Sequence, residues 1–187
     1  MVLAFALAGC SADDLQPSLD DRPVSGPELP SGAREATVVR VVDGDTVELG
    51  GGLGKSRLIG IDTPEVYGGV ECYGREASAY AKRQLDGRRV RYTVGRDERD
   101  RYGRLLVYLW LEDGRSFNAL LVSRGYAQPL TIPPNDDYAS AFVRLSRRAR
   151  ERAVGLWASR ACAGAAGLNR GTRYLSAKSE KVWASAP

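Results

Sequence analysis

Four acids sit in two short motifs, Asp43 and Asp45 in "DGDT" and Asp62 and Glu65 in "DTPE", and two arginines, Arg57 and Arg104, open apolar strand-like runs. Carboxylates brought close repel one another unless something positive lies between them. A hard cation such as calcium accepts such a set, with backbone carbonyls and water completing six to eight oxygen ligands. Arginine holds phosphate through a planar fork of donors that lysine lacks. Arg57 and Arg104 could therefore face one phosphate from two strands. Each residue alone also has an ordinary reading: Asp-Thr-Pro is turn chemistry, and a strand-end arginine is commonly just solvated.

The chain has no histidine. Imidazole supplies the base of Ser-His-Asp hydrolases and is the commonest transition-metal ligand, so those mechanisms are excluded. With three scattered cysteines, a zinc site of ordinary type is not expected either. Carboxylate, arginine and a hard, oxygen-seeking metal remain for hydrolytic chemistry. Charge is uneven along the chain. Residues 1–33 hold five acids against one arginine, whereas residues 34–187 hold 26 Lys and Arg against 18 Asp and Glu. A basic domain of net +8 suits a polyanionic partner through counterion release, although solubility alone would also account for it.

Elements able to position these residues can be read from periodicity. "ATVVRVVDGDTVEL" (36–49) alternates as two strand segments with a bend or bulge at the glycine, "GGGLGK" (50–55) is a hairpin connection, and "RLIGI" (57–61) returns as the next strand. "GREASAYAKRQLDG" (74–87) sets Ala77, Tyr80, Ala81 and Leu85 on one helical face and stops at Gly87. "RRVRYTV" and "RLLVYLWLEDGRS" supply two or three more strands, the second turning at "EDG". "SFNALLVSRG" is a short helix closed by Gly125, and "NDDYASAFVRLSRRARERAVGLW" predicts a helix capped by Asn or Asp. About five strands in Greek-key-like order with interspersed helices predict an α+β fold, a small barrel of the oligonucleotide-binding type with helical additions.

The first nine residues form an apolar run ending before Cys10, too short to span a bilayer. "LAGC" (7–10) resembles a bacterial lipobox, which implies lipidation at Cys10, export, and a membrane anchor; plain secretion is the other reading. No Lys or Arg precedes the run, so either translation starts upstream or the likeness is fortuitous. The expected organisation is a signal remnant at 1–9, an acidic tether at 10–33, one catalytic domain at 34–160 and a tail at 161–187. If lipid consumes Cys10, then Cys72 and Cys162 are left to form a disulfide, as isolated pairs in exported proteins usually do, or to remain as two buried thiols.

Taken in order, "VVDGDTVEL", "RLIGIDTPE", "YGREASAYAKRQL", "RDERDRYGRLLVYL", "NALLVSRGYA" and "RARERAVGLW" resemble the thermonuclease family typified by staphylococcal nuclease, over about residues 36–158. The combination is far more specific than any one motif. The resemblance implies a five-stranded OB-fold β-barrel with three helices, and calcium-dependent cleavage of DNA and RNA that leaves 3′-phosphate ends. It implies that Asp45 and Asp62 bind calcium through their carboxylates and Thr63 through its carbonyl, and that Glu65 is the general base for the attacking water. It further implies that Arg57 and Arg104 hold the scissile phosphate, with Arg101 and Tyr102 lining the nucleotide site. Single-stranded substrates and a monomer are expected.

Two stretches depart from the family pattern. "AQPLTIPPND" (127–136) has Thr131 and prolines where the typical member carries tyrosines near the base, and the loop after Glu65 is short and contains Cys72. A non-catalytic single-strand-binding barrel is the competing reading, but a pure binder does not need Arg57, Glu65 and Arg104 together with the aspartates.

Overall fold

The computed structural model describes residues 26–158 and Cys162. The signal remnant, Cys10, most of the tether and, apart from Cys162, the tail fall outside the described residues. In chain order the elements are β1 (Arg34–Val41), β2 (Thr46–Leu49), β3 (Gly54–Leu58), β4 (Gly60–Asp62), α1 (Gly74–Leu85), β5 (Arg89–Arg99), β6 (Leu105–Trp110), α2 (Phe117–Ser123), β7 (Gln128–Leu130) and α3 (Ala139–Glu151). Five strands close a barrel in the order β1-β2-β3-β6-β5, while β4 and β7 form a separate two-stranded sheet. The β3–β6 pairing is parallel; the other barrel pairings are antiparallel. This is the α+β OB-fold barrel with three helices that the sequence predicts.

Alternation places Val38, Val47, Leu49, Leu58, Val107 and Leu109 inside, each almost fully buried. The α1 face is the expected one, with Ala77, Tyr80, Ala81 and Leu85 buried. α2 is capped by Ser116, whose Oγ accepts from Ala119 N at 3.3 Å. Its fully buried Asn118 ties the sheets together: Nδ2 donates to Ile59 O (2.9 Å) and Oδ1 accepts from Leu109 N (3.0 Å). A buried amide satisfied on both sides fixes register where an apolar residue would slide.

Two local expectations are corrected. "RLIGI" is not one strand. It breaks at Ile59, just before Gly60, which has φ +79° and lies so close to α3 that a Cβ would stand 2.6 Å from Phe142 Cε2. Only glycine fits, and the break hands the chain from β3 to β4, which delivers Asp62. The chain bends at Gly44 as expected, DGDT forming a tight turn, and β1 carries in addition a register shift between Val38 and Arg40. The N-cap of α3 is Tyr138, with no side-chain cap bond. Asn135 is drawn away to Asp97, accepting from its N at 3.1 Å and donating to its O at 3.0 Å, and Asp136 and Asp137 pair with Arg96. Tertiary partners outcompeted the local cap.

Residues 26–33, assigned to the tether by sequence, lie against the barrel: Leu29 packs on the core, and Trp110 Nε1 donates to Pro27 O at 3.1 Å. Cys72 and Cys162 are joined by a disulfide across 90 residues, tying the loop after Glu65 to the segment behind α3. In the chain-entropy model a closure of that length stabilises by about 4.5 kcal/mol.

Candidate active site

Asp45 is fixed by its own turn. Val42 N and Asp43 N both donate to Thr46 O (2.8 and 3.2 Å), and Asp45 N donates to Asp43 Oδ1 (3.1 Å). Leu58 N donates to Asp45 O at 2.8 Å, so the turn lies against the end of β3. The Asp45 carboxylate then gathers its neighbours: Oδ2 accepts from Thr63 N (2.8 Å) and Thr63 Oγ1 (2.9 Å) and pairs with Arg57 Nη2 (3.0 Å). The same Nη2 is 3.1 Å from Asp62 Oδ1, while Arg57 Nη1 donates to Leu58 O at 2.6 Å. One nitrogen thus bridges two buried aspartates that arrive from different turns.

The electrostatics follow from this crowding. For Arg57, burial is the largest influence and works against the charge, but Asp45, Asp62, Asp43 and Glu65 together outweigh it and hold the guanidinium above its ordinary pKa. Asp43 is pushed up to about 6, by burial first and by Asp45 second. Four acids facing one guanidinium leave an excess of negative charge at this end of the barrel.

Glu65 is positioned by a loop that closes on itself. Glu65 N donates to Glu71 Oε2 (2.9 Å), Glu71 N donates to Glu65 O (2.9 Å), and Gly74 lies so close that a Cβ would stand 2.6 Å from Glu65 O. Its half-buried carboxylate acts electrostatically on Arg57.

Arg104 immediately precedes β6. Because Arg57 is the β-partner of Leu106, Arg104 lies two residues back on the same outward face of the neighbouring strand. That diagonal corresponds to about 8 Å between Cα atoms for ordinary strand spacings. Both arginines therefore stand on one face. Arg104 Nε donates to Asp100 Oδ2 at 2.7 Å, and Asp100 Oδ1 accepts from Tyr102 N and Arg104 N, each at 3.0 Å. Tyr102 is 68% exposed, its ring flanked by Arg101 Cζ at 4.8 Å and Arg104 Cζ at 5.5 Å.

The residues expected to carry chemistry thus fall into two linked groups: Asp45, Asp62, Thr63, Arg57 and Glu65 on the β1–β2 turn, β3 and the β4 exit, and Arg101, Tyr102 and Arg104 at the β5–β6 turn. Sequence reasoning missed two residues. Asp100 organises the second turn, and its signal was present: Asp100 and Gly103 take the first and fourth places of a β-turn closed by Gly103 N donating to Asp100 O, places that these residue types favour. Gln128 stands opposite Asp62 in the β4–β7 ladder, buried, its Oε1 without a hydrogen-bond donor among the described residues. No motif marked it.

The donor set fits a hard divalent cation. It offers only oxygen, and it gathers four carboxylates around a single guanidinium, a charge balance that such an ion would complete. Among the described residues no three acidic, thiol or imidazole side chains form a ready-made cage. Two aspartates, a carbonyl and several waters would have to serve.

A model of the family described as "Staphylococcal nuclease homologue" matches residues 55–159. The thermonuclease of Staphylococcus intermedius is 38% identical over 125 residues, 64% of this chain and 74% of that protein. That of Staphylococcus hyicus is 38% identical over 136 residues, 69% of this chain and 80% of that protein. Endonuclease YhcR of Bacillus subtilis is 33% identical over 153 residues, 74% of this chain but 12% of that much longer protein.

Proposed function

The chain belongs to the staphylococcal nuclease homologue family, and from that premise we propose that it is a calcium-dependent nuclease that hydrolyses DNA and RNA by water attack on the phosphodiester, leaving 3′-phosphate ends. The observation that carries the reading is the convergence of Asp45, Asp62 and Arg57 within 3.1 Å, with Glu65 beside them and Arg104 on the same face.

In this reading Asp45, Asp62 and the Thr63 carbonyl hold calcium, which when bound polarises a phosphoryl oxygen. Arg57 and Arg104 present fixed donors where negative charge gathers during attack. Glu65 takes the proton of the incoming water, a role that needs no histidine. Arg101 and Tyr102 line the nucleotide site, the exposed ring offering a stacking face. Single strands are the expected substrate and the working unit is a monomer. Export with a lipid anchor at Cys10 completes the proposal; mass spectrometry of the N-terminal peptide tests it, and an unmodified Cys10 in the exported protein would remove the anchor.

The test of catalysis is digestion of single-stranded DNA with calcium, with chelator, and by Glu65→Gln. Calcium-dependent cleavage with 3′-phosphate ends is expected, reduced at least a hundredfold in the variant. Purified protein that cleaves nothing in calcium would overturn the enzyme reading, and undiminished Glu65→Gln activity would overturn the base assignment.

A further inference from the structure

The loop leaving Glu65 runs on through Val66 and Tyr67, which face Arg75, Ser78, Ala79 and Lys82 of α1 across an open groove of about 270 Å³. Positions 75, 78, 79 and 82 follow the three- and four-residue spacing of one helical stripe. At 1.5 Å per residue, Arg75 and Lys82 stand about 10 Å apart along it. Among the described residues no acid lines the groove. Both cations are exposed, and among the described residues neither forms an ion pair, whereas Arg57, Arg96 and Arg104 all do. The nearby Asp86 carboxylate is engaged by Val41 N at 2.6 Å. Tyr67 is 64% exposed, yet its hydroxyl donates to Val42 O at 3.2 Å, which anchors the ring beside the turn carrying Asp43 and Asp45.

We propose that this groove is a second polynucleotide subsite, taking the backbone of the strand that flanks the scissile bond, with Arg75 and Lys82 on its phosphates and Tyr67 beneath a base. The inference rests on the nuclease reading for its choice of ligand. Three features support that occupant over an apolar peptide: two exposed cations with no acid between them among the described residues, an anchored aromatic face, and direct continuity with Glu65. A sequence-tolerant single-strand site combines the same two ingredients, a basic track and an aromatic platform.

The test measures binding of a labelled 20-nucleotide single strand by fluorescence anisotropy in chelator, across salt concentrations, and separately KM in calcium for that strand and for a dinucleotide. Each phosphate contact on a single strand contributes about −0.7 to the slope of log K against log salt, so Arg75→Ala/Lys82→Ala should flatten it by about 1.4. Arg75→Lys/Lys82→Arg should restore the wild-type slope. KM for the long strand should rise about tenfold more than KM for the dinucleotide. Tyr67→Ala should weaken binding about tenfold, and Tyr67→Phe should bind within about twofold of wild type. An unchanged slope in the double alanine variant, or equal effects on long and short substrates, overturns the subsite. So does loss of binding to phosphatidylglycerol vesicles in that variant with oligonucleotide binding intact, which would assign the groove to a membrane. Wild-type protein that binds the strand but cleaves nothing in calcium sinks the nuclease reading instead, and the slope comparison still decides the groove.

Discussion

Arg57 and Arg104 occupy the same outward face of two neighbouring strands, yet the protein holds them in opposite ways. The Arg57 side chain is 13% exposed and is locked between two aspartates that are themselves 8% and 5% exposed. Arg104 is 29% exposed and leans on one aspartate, across a turn whose exposed Tyr102 flanks it. Arg57 is thus part of the folded framework, and removing it strands two buried carboxylates. Arg104 is held by one partly exposed ion pair to Asp100, so its loss leaves no buried charge behind. Two arginines with one proposed task should therefore fail differently when mutated.

The largest effect is expected for Arg57→Ala. Losing a fixed donor costs about 10²–10³ in kcat, and leaving Asp45 and Asp62 without their counter-charge costs about 3–5 kcal/mol of stability. Urea unfolding beside steady-state kinetics measures both; a fully stable Arg57→Ala protein would break the comparison. Arg104→Ala should lose a similar 10²–10³ in kcat but under about 1 kcal/mol in stability, because a partly exposed pair is worth little. Next in size, Tyr102→Ala should raise KM about tenfold, the equivalent of one lost stacked base, while Tyr102→Phe stays near wild type.

A pH-dependent effect concerns Asp43. Its carboxyl is pushed up to about 6 in the folded protein against an ordinary 3.8, so the folded state is penalised above pH 6, and the penalty fades as pH falls toward 4. Asp43→Asn, which keeps an acceptor for Asp45 N, should therefore be more stable than wild type at pH 7 in chelator. The difference should vanish by pH 4, and thermal melts at both pH values check it.

The contrast also explains what the sequence could disclose. The barrel was legible because alternating β-branched residues and the stripe of Ala77, Tyr80, Ala81 and Leu85 are local patterns with one burial solution. DGDT and DTPE were legible because each motif carries its turn chemistry within a few residues. What escaped were pairings decided at long range. Phe142 sets the break beside Gly60 from α3, Asn135 abandons a helix cap for Asp97, and Gln128 faces Asp62 only through the β4–β7 ladder. The basic groove escaped for the same reason, since Tyr67 meets the α1 stripe only after the loop folds back.

The most direct measurement is a double-mutant cycle on single-turnover cleavage of single-stranded DNA at saturating calcium, using Arg57→Ala, Arg104→Ala and the pair. If both guanidinium groups serve one phosphodiester, the double variant should lose far less than the product of the two single losses, because groups that act as a unit are not additive. Losses that multiply in full would mean that the two arginines act on separate events, and the shared-phosphate account would fail.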